Sequence, residues 1–140
     1  MKTLTINHLA VVAGVVVLGG FGALWYGPLF GDPWMEMVNL TMADIEANPP
    51  GAGVWVANFL SSVAMLYALA WTFTKIPVES AVRGALLGAM FGFAFAIMPR
   101  MVSGFFAQEP YALTWLNGGY NTLCMTLGGA ILGGWRKYAG

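Results

Sequence analysis

Four stretches of this sequence, residues 6–26, 52–73, 81–98 and 114–135, each have the length and apolar character needed to cross a bilayer. A hydrocarbon core about 30 Å thick takes roughly 20 helical residues. Inside it a backbone must satisfy its own hydrogen bonds, which leaves helices and closed barrels as the available structures. Runs this long and this uniform select helices. Composition agrees: 59% of the 140 residues are hydrophobic and only 9% are charged, outside the range of ordinary soluble domains. The expectation is an all-α integral membrane four-helix bundle forming one domain over residues 1–140. The opening, Met1-Lys2-Thr3 before an apolar run, resembles a secretory signal. That run continues through Trp25 and Tyr26, beyond the usual signal core, and reads as a retained first helix.

The 19 glycines sharpen this reading. Between residues 83 and 99, Gly84, Gly88, Gly92 and Ala96 recur every fourth position, which places them on one helical face. A face without side chains lets another backbone approach closely, and such contact supplies much of the packing where hydrophobic burial does not drive helices together. The spacing predicts that this third helix is the centre of the bundle. The first helix has a similar side at Ala10, Gly14, Gly19, Gly20, Gly22 and Ala23. In the fourth, Gly118, Thr122, Thr126, Ala130 and Gly134 repeat four apart, with Gly129 and Gly133 as further packing positions.

The connections carry their own signals. Trp25 and Tyr26 suit a headgroup boundary, and Gly27-Pro28 predicts the end of the first helix. In the connection 27–51, Asp32 is placed to cap a turn with Pro33 at its first position, and Thr41 with Asp44 fits a capping box. Trp34, Met35, Met37, Val38 and Leu40 make this a short helical excursion lying on the membrane surface. The short loop after Pro77 predicts an antiparallel hairpin of the second and third helices. Glu79 and Arg83, four apart, read as an ion pair. Pro99 is expected to end or kink the third helix, leaving residues 101–109 as an interfacial or re-entrant segment.

Lys2, Lys75, Arg83, Arg136 and Lys137 fall on one side of a four-helix layout, and Arg100 alone falls on the other. By the positive-inside rule both termini and the middle loop are cytoplasmic. Net charge is zero, which removes the basic patch that nucleic acid requires. The single cysteine, Cys124, excludes an intrachain disulfide and a one-chain thiolate cluster.

The stretch Ala23-Leu24-Trp25-Tyr26-Gly27-Pro28-Leu29-Phe30-Gly31, followed by Trp34-Met35, resembles the DUF1761 family. So do Asn117-Gly118-Gly119-Tyr120 and Gly129-Ala130-Ile131-Leu132-Gly133-Gly134-Trp135. The resemblance implies a small four-helix bacterial membrane protein of unknown function and supplies no catalytic assignment. A basic residue often follows the Leu-Phe-Gly turn in that family, whereas this chain has Asp32 there.

The candidate ligand-binding residues are Asn58, Ser62, Arg100, Asn117, Tyr120 and Asn121. Asn58 with Ser62, and Asn117 with Asn121, each share a helical face, and the three amides lie at the depth where Arg100 emerges. Polar groups at that depth need partners. They read either as an outward-facing pocket in which Arg100 attracts an anionic or polar ligand, or, as the more economical account, as interhelical glue. His8 has no second histidine and reads as interfacial. Asp32, Glu36, Asp44 and Glu46 lack the pattern of a calcium loop, so no metal and no cofactor is expected. Ser61 and Ser62 have no base at plausible depth, no Gly-x-Ser-x-Gly turn occurs and no carboxylate lies deep in a helix. The protein therefore reads as a non-enzyme, either a scaffold or accessory subunit or an oligomeric small-solute or ion transporter or channel. Its expected partners are membrane lipids and further copies or subunits of a larger membrane complex.

Overall fold

The computed structural model describes residues 3–139, so the expectation for Lys2 lies outside the described residues. The chain is mostly helical. Helix α1 (His8–Leu24) runs into a π-helical turn, Trp25–Leu29, followed by α2 (Gly31–Met37) and α3 (Met42–Ala47). Helix α4 (Ala52–Lys75) leads to α5 (Ala81–Gly92), a second π-helical turn (Phe93–Ile97) and α6 (Met98–Phe106), and α7 (Tyr111–Gly134) closes the bundle. Two short strands, β1 (Thr3–Thr5) and β2 (Lys137–Ala139), pair antiparallel with Thr3 opposite Ala139, which ties both ends of the chain to one end of the bundle.

Local chemistry explains most of these boundaries. Asn7 caps α1 by accepting from Ala10 N–H, while its Nδ2 donates to the Trp135 carbonyl across the chain ends. Thr41 and Asp44 form a reciprocal capping box at α3, and the two Thr41 bonds hold the Asp44 carboxyl below its ordinary pKa. Helix α2 starts two residues earlier than the Asp32 cap would require. Its N-cap is Phe30, without a side-chain bond, and Asp32 lies inside the first turn. The expected Glu79–Arg83 ion pair does not form among the described residues. Ser80 caps α5 by accepting from Arg83 N–H, so Glu79 sits outside the helix and the four-residue spacing is not a helical one.

Three helical stretches, His8–Leu29, Ala52–Lys75 and Ala81–Phe106, are long and apolar enough to cross a membrane. The third is longer than a helix ended by Pro99 would be, because the chain continues past it as α6 to Phe106. A proline in a helix interior loses one hydrogen bond and clashes with the carbonyl four residues back, here that of Phe95. The π-helical turn Phe93–Ile97 lies there, and a π-bulge is a common way for a helix to absorb such a fault. Helix α7 has 24 residues, also enough to span, but is less apolar, carrying Thr114, Asn117, Asn121, Thr122 and Thr126.

That polarity fits its position. The hub of the bundle is α7, against which α1, α4, α5 and α6 all pack, whereas α5 was expected at the centre. Nor do α4 and α5 form a packed hairpin. A shallow groove of about 300 Å³, lined by Met65, Leu69, Thr72, Phe91, Phe95 and Met125, separates them. The short loop between them permits an antiparallel pair, but surface shape decides the partner: α5 offers glycines that match those of α7, and α4 offers bulky Leu66, Leu69 and Phe73.

The buried core is formed by Ala10, Val11 and Leu18 of α1, Leu66, Leu69, Ala70 and Phe73 of α4, and Cys124 and Leu132 of α7, with Val78. It belongs to the half of the bundle nearer the termini. Arg136 closes that end by donating to the carbonyls of Leu132 and Phe73, which satisfies acceptors left open at the ends of α7 and α4.

A candidate ligand cleft beside α7

The two faces of α7 are built differently. Toward α5, Gly84, Gly88 and Gly92 are all buried. A methyl group added at Gly84 would run into the Gly129 carbonyl, one at Gly88 into the Met125 carbonyl, and one at Gly92 into Thr122 Cα. From the other side, Gly129 abuts the Gly84 carbonyl and Gly133 the Ser80 carbonyl. Ala96 does not continue this row. The π-helical turn inserts an extra residue, so the next position against α7 is the buried Ile97, which meets Gly118, while Ala96 is only half-buried.

On the opposite face, a partly open cleft of about 720 Å³ lies between α1, α2, α4 and α7. Asn58, Ser62, Asn117 and Tyr120 all line it. The two other candidates do not. Arg100, on α6, donates to Glu109 Oε2 at 2.7 Å, so a carboxylate nearby in sequence already neutralises it. Asn121 is exposed and outside the cleft. It follows Tyr120 by one residue, a rotation of about 100° around the helix.

Of the aromatic pair expected at a membrane boundary, Tyr26 lines the cleft and Trp25 braces its wall from behind. The Trp25 indole donates to the Leu116 carbonyl at 3.2 Å, and the Tyr26 hydroxyl donates to Asn117 Oδ1 at 2.7 Å. Tyr26 meets Tyr120 edge-on at 5.1 Å and Trp34 edge-on at 5.8 Å. Phe21 stacks on Tyr120 at 5.6 Å. Gly22 leaves room for the Tyr120 hydroxyl, which would lie 2.7 Å from a methyl placed there. The non-helical backbone at Gly27 turns the chain so that α2 brings Trp34 back over the cleft.

Thus the segment around Trp25 and Tyr26 and the segment Asn117–Tyr120, about 90 positions apart, form one aromatic and amide wall. The only advance signal for Tyr26 and Trp34 was their place in the same family-like motif. The floor is apolar: Leu18 lines the cleft, and just below it Leu66 packs against Gly14. From that crossing toward the far end α1 and α4 diverge, and every residue of α4 from 52 to 61 is exposed.

Outside the cleft, His8 Nδ1 lies 2.8 Å from the Tyr67 hydroxyl near the terminal end. Among the described residues, no three His, Cys, Asp or Glu side chains come together as a metal site.

These features define a helical protein with several segments suited to a membrane and a laterally placed amphipathic cleft. The chain belongs to the family described as "Protein of unknown function (DUF1761)", which matches residues 9–133 and so includes both walls of the cleft. Comparison with curated proteins and with solved structures gave no match.

Proposed function

We propose that this chain is a multi-pass protein of the bacterial cytoplasmic membrane in which all four long helices cross the bilayer, with both termini cytoplasmic. It works by association, as a scaffold or accessory subunit that pairs with copies of itself or with a larger membrane complex, and it catalyses no reaction. The observation that carries this reading is the N-terminal half of α4. Residues 52–61 are exposed at every position, among them Val54, Trp55, Val56, Phe59 and Leu60. Apart from the cleft that it borders through Val54, Trp55 and Asn58, this helix half presents lateral surface for a second helix or for lipid.

Supporting the topology, the contacts of Arg136 with α4 and of Gly133 with Ser80 gather the ends bearing Lys75, Arg83, Arg136 and Lys137 at one end of the bundle. That is the basic end the positive-inside rule assigns to the cytoplasm. The lower apolarity of α7 suits a spanning helix whose neighbours cover it. The close α5–α7 approach is the kind of contact through which small-residue faces hold membrane helices together.

A second reading, transport of a small solute by an oligomer, draws on the cleft. Within one chain the cleft rests on Leu18 and the core below it, so a polar path would require a second chain.

Mass measurement of the purified protein in nanodiscs tests association, for which an oligomer or hetero-complex is expected. A monomer under all conditions would remove the scaffold reading. In a Cys124→Ala background, a cysteine at Asp44 should react with an impermeant reagent from outside and one at Lys75 only from the cytoplasm. The reverse pattern would overturn the topology.

A further inference from the structure

The cleft offers hydrogen-bonding groups that the fold itself leaves unused. Asn58 is six residues into α4, about 9 Å along the helix, and its side-chain amide has no hydrogen bond among the described residues. Besides the helical ladder, the Asn58 backbone carbonyl accepts from the Ser62 hydroxyl, which leaves the side chain free. Asn117 uses only its Oδ1, toward Tyr26, so its two N–H groups remain available. At the depth of a spanning helix an unsatisfied amide is costly, and two such amides line one cavity.

The electrostatics narrow what satisfies them. Among the described residues, no charged side chain lines the cleft. The nearest charges along the chain are Asp32 and Glu36, both exposed on α2 on either side of Trp34, and Arg100 is held by Glu109 away from the lining. An anionic head would meet like charge at the mouth and no cation within. A cationic head would be drawn to those exposed carboxylates, which keep it at the mouth, and would find none in the lining to pair with its charge inside. The walls instead carry Trp34, Trp55, Tyr26 and Tyr120, whose rings cover the apolar faces of an uncharged head, and Leu18, Gly19, Ala23 and Val54 continue the cavity as an apolar surface. Its volume falls in the range typical of small-molecule sites, about 300–1,000 Å³.

We propose that this cleft binds a neutral amphiphile of the outer leaflet. Its uncharged, hydroxyl- or carbonyl-bearing head bonds to the Asn58 and Asn117 amides, and its tail leaves between the diverging halves of α1 and α4. The proposal rests on the membrane-spanning reading above but not on the oligomeric state, so a monomeric protein leaves it standing.

The test uses the full chain in phosphatidylcholine nanodiscs containing equal amounts of monogalactosyl diacylglycerol and phosphatidylglycerol with matched acyl chains. Native mass spectrometry then reads the lipid retained on the protein. The neutral glycolipid should be retained over phosphatidylglycerol by about tenfold. Asn58→Leu removes an amide with no partner in the fold, so it should keep the thermal midpoint and abolish that preference. Arg100→Gln should leave the preference unchanged. Equal retention of the two lipids, a preference for phosphatidylglycerol, or a full preference surviving in Asn58→Leu would each overturn the proposal. So would displacement of the glycolipid by an equal concentration of methyl β-galactoside, because the tail would then contribute nothing.

Discussion

Helix α7 is closed on one face and open on the other. Toward α5 the backbones approach so closely that glycine carbonyls occupy the space where side chains would begin. Toward the halves of α1 and α4 remote from the terminal strands the same helix carries Asn117 and Tyr120 into a cleft of about 720 Å³. The first face consists almost wholly of backbone and has no room for an occupant. The second is a wall of large, partly polar side chains on helices that diverge above the Gly14–Leu66 crossing. The difference teaches that glycine in this chain does two jobs. At Gly84, Gly88 and Gly129 it removes side chains so that helices touch, and at Gly19 and Gly22 it makes room.

The largest effect should follow substitution on the closed face. In Gly88→Ala the new methyl would coincide with the Met125 carbonyl, a backbone atom that cannot turn aside as a side chain can. Overpacking typically costs about 1–3 kcal/mol, and this site belongs at the upper end. Yield and thermal midpoint should both fall sharply, whereas Met90→Leu, at an exposed position of the same helix, should leave both intact. If Gly88→Ala were as stable as Met90→Leu, the closed face would be looser than its geometry.

Tyr26→Phe should have a smaller effect. It removes the hydroxyl that donates to Asn117 Oδ1 at 2.7 Å, leaving a half-buried acceptor to find another partner. The loss of one such bond is worth about 1 kcal/mol. Thermal unfolding in detergent should register that decrease without loss of expression. No change at all would mean that water or lipid already competes for Asn117, and that the wall of the cleft is open at this point.

The sequence showed these two faces unequally. The four-residue period of Gly84, Gly88 and Gly92 displays a face free of side chains, but nothing in it names the helix that fills the face, and so α5 was read as the hub in place of α7. The period also could not show that Ile97 replaces Ala96, because the shift arises from the π-helical turn before Pro99. In the cleft, Asn58 and Asn117 are recognisable from sequence as amides at one depth, though the same argument also selects Asn121, and Ser62 is recognisable from its shared face with Asn58. Arg100 was misjudged because its partner Glu109 lies across a turn, at a spacing that helical periodicity does not relate. Tyr26 and Trp34 were missed because an aromatic residue near a helix end looks the same in sequence whether it meets headgroups or folds back onto a neighbour. Only the backbone break at Gly27 distinguishes these cases.

The smallest effects should come from paired glycine substitutions on the open face. At Gly22 an added methyl would lie 2.7 Å from the Tyr120 hydroxyl, the far end of a side chain that can swing into the adjoining cleft. Gly22→Ala should therefore cost well under the 1–3 kcal/mol typical of overpacking, since a rotamer change relieves the contact. At Gly19 nothing lies within 4 Å of the added methyl, although the residue lines the same cleft. Replacing a helix-interior glycine with alanine reduces the backbone entropy lost on folding, worth roughly 0.5–1 kcal/mol. Gly19→Ala should thus raise the thermal midpoint slightly while Gly22→Ala lowers it. Opposite signs from one substitution, three residues apart on one helix, would separate a glycine that seats Tyr120 from one that lines open space. If both variants were instead destabilised as strongly as Gly88→Ala, the cleft would be closed in the membrane and the two faces of α7 would be equivalent.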